Sequence, residues 1–204
     1  MRTAILYDSE FLSVDGAMRR FWCGPFDPEP TVVQIGAVRL GLDGDFPLLE
    51  TFQAYVSPKD REGKPVPIDP FLSELTGITQ AQVDAEGQPL VEALTALDAF
   101  SQGAPFWSWG RDDHFMVAIS CFVEGIPPVI PATRFGNATR LFLQAGMPYE
   151  AIQKTSSSGL AAYFGLNTDG LSAHDALSDA RSMALAVQHL LRRGDLPAEA
   201  LLLG

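Results

Sequence analysis

Three segments early in the chain are apolar, rich in β-forming residues and bounded by turn residues, before any helical pattern begins. They span residues 3–8, 32–40 and 49–56, and each predicts a strand. Residues 41–47, with the sequence GLDGDFP, predict a hairpin connection between the last two strands. We therefore expect the chain to begin as an antiparallel meander. This start constrains the fold most, because whatever follows must pack on that sheet.

The rest of the chain alternates between helical and strand patterns. After a Pro-rich loop at 57–70, the patterns predict helices at 78–85, 89–103, 112–125, 138–146, 157–165 and from 174 onward, and strands at 104–110 and 127–132. Strands first, then helix and strand in alternation, predict an α/β fold with one mixed five-stranded sheet flanked by helices. This order is compatible with a ribonuclease-H-like fold and with several unrelated α/β folds.

Size and composition predict one domain over residues 1–204, elaborated by long loops. With 204 residues, 47% of them hydrophobic, the chain can bury a core without disulfides. It has no stretch of about eighteen apolar residues and no signal-peptide character at its start, which predicts a cytoplasmic protein with no membrane span. Cys23 and Cys121 lack a metal-type spacing, so we expect both to be reduced.

The formal net charge of −11 argues against a protein that covers a long stretch of duplex DNA, since such proteins are usually basic. It permits an enzyme that grips a few nucleotides through metal ions, because bound divalent cations invert the local charge. The C-terminal residues 196–204 could pack on the core or on a second subunit, which leaves a homodimer open.

Two acids close the first strand. Asp8 and Glu10 are two residues apart, so their side chains point to the same face of the strand. Like charges that close repel each other and raise each other's pKa unless a cation separates them. The alternative is a solvated strand end that leads into a loop.

A third acid lies on the apolar face of the last helix. On a helical wheel, Met183, Ala186 and Leu190 fall within about 40° of Asp179, which places this carboxylate on the side that faces the core. A buried carboxylate needs a partner, and a metal ion, an arginine or backbone donors would all suffice.

The remaining polar candidates have simpler explanations beside the chemical ones. Ser172 and Asp175 match a capping box, which makes Asp175 structural. His174 precedes it and could deprotonate a water near neutral pH. Asp112 and Asp113 begin a helix, where acids favour the macrodipole, and only one of them is expected to face a site.

Taken together and in order, these motifs resemble the DEDDh, or DnaQ-like, group of 3′→5′ exonucleases, and they are most similar to its exoribonuclease-like members. The matching strings run along nearly the whole chain: YDSEF at 7–11, VVQIGAV at 32–38, ELTGITQAQV at 74–83, WSWGRDD at 107–113 and HDALSDA at 174–180. The resemblance implies a ribonuclease-H-like fold and release of nucleoside monophosphates from the 3′ end of single-stranded RNA or DNA.

The resemblance also implies a role for each residue. Two divalent ions, Mg²⁺ or Mn²⁺, would be held by Asp8, Glu10, Asp113 and Asp179, with Asp113 preferred over Asp112, and His174 would be the general base. Phe11, Thr76, Ile78 and His174 would contact the substrate. For the stretch at Thr76 and Ile78, a plain helix start is the alternative, because Thr79 and Gln82 form a capping-box pattern.

Two departures from the family pattern affect substrate contacts. Phe11 stands where many relatives have a small residue or Thr. The insertion at 13–30 contains Arg19, Arg20, Phe21 and Trp22, which could grip a backbone and stack a base, or belong to an extended hairpin that covers the sheet. A DNA-proofreading exonuclease and a non-catalytic nucleic-acid-binding protein of the same fold are the alternative functions.

Overall fold

The computed structural model of the chain describes residues 1–203, in which five strands form one sheet. The strands are β1 (Thr3–Phe11), β2 (Val32–Gly41), β3 (Leu48–Tyr55), β4 (Phe106–Ser108) and β5 (Phe135–Asn137). The helices are α1 (Pro70–Thr76), α2 (Gln80–Glu86), α3 (Leu90–Ser101), α4 (Asp112–Val123), α5 (Thr139–Gln144), α6 (Tyr149–Lys154), α7 (Leu160–Tyr163) and α8 (Ala176–Arg193).

The sheet has the order β3-β2-β1-β4-β5. β1, β2 and β3 pair antiparallel, whereas β4 runs parallel to β1 and β5 runs parallel to β4. The predicted mixed five-stranded, ribonuclease-H-like sheet is confirmed. Because β1, β4 and β5 point the same way, their carboxyl ends lie along one edge of the sheet, where ligands of open α/β sheets bind.

Helices cover both faces of the sheet, as the alternation along β1 requires. Ala4 and Leu6 pack in the larger core with residues of α8, such as Met183. Ile5 and Tyr7 point to the opposite face and pack in a second core with residues of α3 and α4. The even-numbered residues of β1 therefore face α8, and the odd-numbered ones face α3 and α4.

Gly36 on β2 allows α8 to lie directly against the sheet. It pairs with Asp8 across the β1–β2 ladder. A Cβ at this position would overlap the backbone of Ala176 and Leu177 at the start of α8. Gln34, on the same strand, accepts a hydrogen bond from the Ala176 N–H through its Oε1 at 2.9 Å. The first turn of α8 is thus fixed beside the end of β1.

Several predicted elements are wrong in position. The fifth strand is β5 at 135–137 and not residues 127–132, because Pro127, Pro128 and Pro131 have no N–H to give to a ladder. The predicted loop at 57–70 ends in the unpredicted helix α1, whose N-cap Asp69 accepts from the Phe71 N–H at 2.8 Å.

The capping box assigned to Ser172 and Asp175 is also wrong, because Asp175 is itself the N-cap of α8. Its Oδ1 accepts from the Ser178 N–H at 2.9 Å. The structural role of Asp175 is confirmed. The capping box of Thr79 and Gln82 is present at the start of α2, as its pattern predicts.

The C-terminal segment packs on the core of its own chain. Leu196 and Leu201 are buried, and the Trp107 indole N–H donates to the Leu201 carbonyl at 3.0 Å. Within residues 1–203, none of the helices combines the length and the apolar character that a membrane crossing requires.

Candidate functional site

Three carboxylates meet at the carboxyl end of β1. Asp8 and Glu10 share the face of β1 that is turned to α8, and Asp179 lies in the first turn of that helix. One carboxylate oxygen from each of the three lies within 4.8 Å of the other two. The predicted partnership of the Asp-x-Glu pair with the core-facing acid of the last helix therefore exists in space, and the three oxygens could hold a metal ion.

Burial and mutual repulsion raise the pKa values of the three clustered acids. Burial, followed by the charges of Asp113, Asp179 and Glu10, raises the pKa of Asp8 well above its ordinary value. Burial and the neighbouring carboxylates Asp179, Asp113 and Asp175 raise the pKa of Glu10 to about 8. Burial is also the main cause that raises the pKa of Asp179 to about 7. Without a cation, Glu10 and Asp179 therefore titrate near neutral pH.

Asp179 has donors for only part of its carboxylate. The Ser157 hydroxyl donates to Oδ2 at 3.4 Å, and the backbone N–H of His174 also donates to the carboxylate. Oδ1 is buried and has no hydrogen-bond partner. A buried acceptor without a partner is costly, and a divalent cation among these all-oxygen donors would satisfy it. The residues present therefore fit a hard divalent ion.

Asp113 approaches the same strand end from the opposite face. Its Oδ1 accepts from both the backbone N–H and the hydroxyl of Ser9, each at 2.8 Å. Burial raises the pKa of Asp113 to about 6, and the two donors from Ser9 limit that rise. Asp113 is buried whereas its neighbour Asp112 is exposed. The structure thus places Asp113 beside the cluster but outside the three-oxygen group.

His174 precedes α8 in a strained backbone conformation. Its φ is 60°, in the left-handed region that few non-glycine residues adopt, and its side chain is exposed. The turn is held by the next residue, Asp175, whose Oδ2 accepts from the Gln34 amide at 3.0 Å and the Gln53 amide at 3.3 Å. Strain of this kind persists only where the surroundings fix it, and it concentrates at functional sites.

The three other predicted substrate contacts, Phe11, Thr76 and Ile78, lie outside the cluster of three acids. Phe11 packs edge-on against Trp22, with ring centroids 5.5 Å apart. The Thr76 hydroxyl is used within its own turn, donating to the Leu72 carbonyl at 2.8 Å. Ile78 is buried in a small apolar cluster with Leu12, which continues the chain from Phe11.

The insertion forms a short 3-10 turn at Met18–Arg20, so the extended-hairpin alternative is wrong. The Arg20 guanidinium is paired with Asp27 at 2.5 Å, and the Trp22 indole donates to the Leu12 carbonyl at 3.1 Å. Phe21 remains 81% exposed. Of the four residues singled out in this segment, Arg20 and Trp22 are therefore engaged within the protein.

Two serines of the site, Ser9 and Ser157, were not predicted from the sequence. Ser9 stands between the two acids of β1 and was overlooked because strand alternation turns it to the other face. Ser157 lies in the turn before α7, although the helical pattern at 157–165 predicted that it begins that helix. That loop is fixed by the Ser182 hydroxyl, which donates to the Ser158 carbonyl at 2.9 Å, and by the Trp109 indole, which donates to the Thr155 carbonyl at 2.8 Å. The only available signal was Ser182, a polar residue one helical turn after Asp179.

Solved structures of exonucleases share this architecture. The nuclease domain of 3′hExo, described as a DEDDh family member bound to rAMP, matches with a TM-score of 0.76 and 21% identity over 95% of this chain and 94% of that chain. E. coli exonuclease I in a zinc-bound complex with single-stranded DNA matches with a TM-score of 0.62 and 16% identity over 95% of this chain. The match covers only 41% of the exonuclease I chain. At these identities, the similarity establishes the fold.

Sequence comparison identifies the family. No curated protein sequence matches the chain. The family model RNase_T, described as Exonuclease, matches residues 5–187, which include the three clustered acids, Asp113 and His174. The exonuclease membership predicted from the motifs is confirmed: the chain belongs to the RNase_T family of exonucleases.

Proposed function

We propose that the protein is a metal-dependent 3′→5′ exonuclease that releases nucleoside monophosphates from the 3′ end of single-stranded nucleic acid. The observation that carries this proposal is the buried cluster of Asp8, Glu10 and Asp179, which the protein's own donors leave incomplete at Asp179 Oδ1. A cluster of this kind, in a chain of this family, is suited to metal-assisted phosphodiester hydrolysis.

Two divalent ions would be held by Asp8, Glu10 and Asp179, with Asp113 contributing directly or through a water. Oxygen-only donors favour Mg²⁺ or Mn²⁺ over Zn²⁺. The chemistry that such ions supply is stabilisation of negative charge on the oxygens of the reacting phosphate. Their charge would also offset the repulsion among the acids, which makes an acidic nuclease physically reasonable.

His174 is the general base of the proposed reaction. An imidazole nitrogen accepts a proton from the attacking water, whose oxygen forms the new bond to phosphorus. The bond from phosphorus to the 3′ oxygen of the preceding nucleotide breaks, and that oxygen takes up a proton. His174 is exposed on its strained turn, and its backbone N–H donates to Asp179, so the base is tied to the acid cluster through its own main chain.

Phe11, Thr76, Ile78 and His174 would contact the terminal nucleotide. Phe11 follows Glu10 on β1, and Ile78 packs in the apolar cluster that contains Leu12. Thr76 ends α1, two residues before Ile78. Phe11 offers an aromatic face of the kind on which bases stack. We propose RNA as the preferred substrate because the second motif resembles those of exoribonucleases, and 3′hExo was solved with rAMP. E. coli exonuclease I was solved with a dT13 oligonucleotide, which keeps DNA proofreading as the second candidate.

The test compares cleavage of 5′-labelled single-stranded RNA and DNA in Mg²⁺ and in chelator. We expect shortening from the 3′ end in Mg²⁺ alone, faster for RNA, and no cleavage by Asp8→Asn. Asp112→Asn is the matched control, because it neutralises the exposed neighbour of Asp113 and should retain activity. Cleavage in chelator, or full activity of Asp8→Asn, would disprove the proposal. Binding without cleavage by the intact protein would favour the non-catalytic alternative.

A cytoplasmic location is also proposed. Its support is that Cys23 and Cys121 are both free, which is the usual state of thiols in reducing compartments.

A further inference from the structure

A second recess lies on the same edge of the sheet as the acid cluster. It has a volume of about 500 Å³ and is lined by the whole of β5 and by the last two residues of β4. Residues that follow these two strands, Arg111 after β4 and Arg140 after β5, line it together with Asn137, Gln144 and Phe115. No aspartate or glutamate among residues 1–203 lines this recess, which is unusual in a chain with a net charge of −11.

The two arginines of the recess are not neutralised by the protein. Neither forms an ion pair within residues 1–203, whereas most other cationic side chains do. Those engaged in ion pairs are Arg2, Arg20, Arg39, Arg61, Lys64, Arg134, Arg192 and Arg193. Two uncompensated guanidinium groups in one concave site favour an anionic ligand, and guanidinium geometry suits phosphate oxygens.

The recess is within reach of a nucleic-acid strand whose 3′ end lies at the acid cluster. β5 is two strands away from β1, which corresponds to about 10 Å across the sheet. The carboxyl ends of β1, β4 and β5 share one edge, so a strand can run along that edge without crossing the sheet. Phe115, which is 47% exposed, adds an aromatic face beside the arginines.

We propose that this recess binds backbone phosphates of the substrate strand upstream of the scissile bond, through Arg111 and Arg140. This inference rests on the proposed exonuclease function. It accounts for how an acidic protein holds a polyanion: the two guanidinium groups attract the upstream backbone, while the clustered acids are kept for the cations at the 3′ end. A free nucleoside monophosphate has the same phosphate chemistry and is the alternative occupant.

The test measures affinity for 5′-labelled single strands of about two to ten nucleotides by fluorescence anisotropy. Arg111→Ala and Arg140→Ala are made in the full chain carrying Asp8→Asn, so that the strands are not consumed. We expect each to raise the Kd of the longest strand about tenfold, with a smaller effect on the dinucleotide. The slope of log affinity against log salt should fall by about 0.7 for each arginine removed. Lysine at either position should restore part of the affinity, since it keeps the charge.

Arg181→Ala is the matched control. Arg181 is exposed, is not in an ion pair within the described residues, and lies near β3 at the far side of the sheet. It removes the same charge and should leave affinity and salt slope unchanged. Equal affinities for all three alanine variants would overturn the proposal. An equal loss for a nucleoside monophosphate and the longest strand would overturn the assignment to backbone phosphates.

The two proposals fail in different ways. Cleavage is compared in proteins that retain Asp8. If Arg111→Ala and Arg140→Ala cleave nucleic-acid strands with the same length dependence as the unmodified protein, the exonuclease function stands and the recess assignment falls. If strands bind at the recess but are never cleaved, the exonuclease function falls and phosphate binding stands. If the protein binds no strand at all, both fall.

Discussion

Asp179 and Asp113 reach the end of β1 from opposite faces of the sheet, and their surroundings differ. Each lies in the first turn of a helix and each is 5% exposed. Asp113 receives two hydrogen bonds from Ser9, whereas Asp179 has one oxygen with no partner. The pKa of Asp113 is raised to about 6 and that of Asp179 to about 7, in both cases chiefly by burial. The protein supplies two donors to one oxygen of Asp113, whereas it leaves Asp179 Oδ1 without a donor.

This difference indicates that Asp113 and Asp179 have different roles at the site. Because Ser9 lies between Asp8 and Glu10 on the chain, the bonds from Ser9 to Asp113 fix the strand segment that carries both acids. Asp113 thus orients the cluster in addition to adding charge beside it. Asp179 completes the cluster, but no protein group donates a hydrogen bond to its Oδ1. The free energy of burying this carboxylate therefore depends on what binds at Oδ1. The predictions below test this contrast.

The largest effect is expected for Asp179→Asn. Loss of a residue that only hydrogen-bonds to a metal ligand typically reduces activity roughly 10–100-fold. Asp179→Asn should reduce exonuclease activity by more than this, because it removes a proposed metal ligand. In chelator the same variant should melt at a higher temperature than the unmodified protein, because one of the mutually repelling acids is gone. Activity assays in Mg²⁺ and thermal unfolding in chelator check both expectations. An unchanged or lower melting temperature in chelator would contradict the view that Asp179 lacks compensation.

Gly36→Ala should have the next largest effect, because it displaces α8 and so the position of Asp179 without touching Asp113. The added Cβ overlaps the backbone of Ala176 and Leu177, which cannot rotate away. We expect a loss of about 1–3 kcal/mol in the free energy of unfolding and weaker binding of Mg²⁺. Urea unfolding and metal titration measure these.

Gly41→Ala, on the same strand, is the control for Gly36→Ala. There an added Cβ would meet the Met1 sulfur and the Pro47 ring at 3.1 Å, at the margin of the sheet. It should cost less stability and leave metal affinity unchanged. Equal metal affinity in the two variants would show that the close approach at Gly36 does not position Asp179.

The sequence predicted the parts of this contrast that follow from periodicity. Strand alternation predicted that Asp8 and Glu10 share one face, and the helical stripe predicted that Asp179 faces the core. That these acids meet in one cluster was implied only by the resemblance to DEDDh exonucleases. Ser9 could not be found in this way, because its role depends on a contact with Asp113, 104 residues away. Nothing in the local sequence encodes that pairing. The same holds for Ser157, whose loop is tied to the rest of the protein by tertiary hydrogen bonds from Trp109 and Ser182.

The fold shows the same limit. The first three strands were predicted because each is apolar, rich in β-forming residues and bounded by turn residues, whereas β5 has only three residues. Its position is set by packing: a Cβ at Gly136 would lie 2.6 Å from the Trp107 ring, so only glycine fits beside that indole. Residues 127–132 have a more β-like composition, so the fifth strand was predicted there.

Ser9→Ala tests the other side of the comparison and should have a moderate effect. It removes the hydroxyl donor to Asp113 but leaves the backbone donor. We expect roughly a tenfold loss of activity and a loss of about 1 kcal/mol in stability. The pKa of Asp113 should rise above about 6, so the acidic limb of the activity profile should move to higher pH. Ser9→Thr keeps the hydroxyl and should restore the profile. A loss of stability without any change in the pH profile would show that Ser9 only packs.

The smallest effect concerns how stability depends on pH in chelator. The folded-state pKa values of Asp179, about 7, and Glu10, about 8, lie above those of an unfolded chain, near 4. The folded protein therefore binds more protons than the unfolded one. The resulting contribution to stability is full below about pH 4 and is lost as pH rises through 7 to 8.

Urea unfolding between about pH 6 and pH 8 should show stability falling with pH in chelator and a much flatter profile in saturating Mg²⁺. Asp179→Asn should flatten the chelator profile, whereas Asp112→Asn, at an exposed position, should not. If both variants kept the slope of the unmodified protein, the acids of the cluster would not be its source, and the contrast between Asp179 and Asp113 would lose its energetic basis.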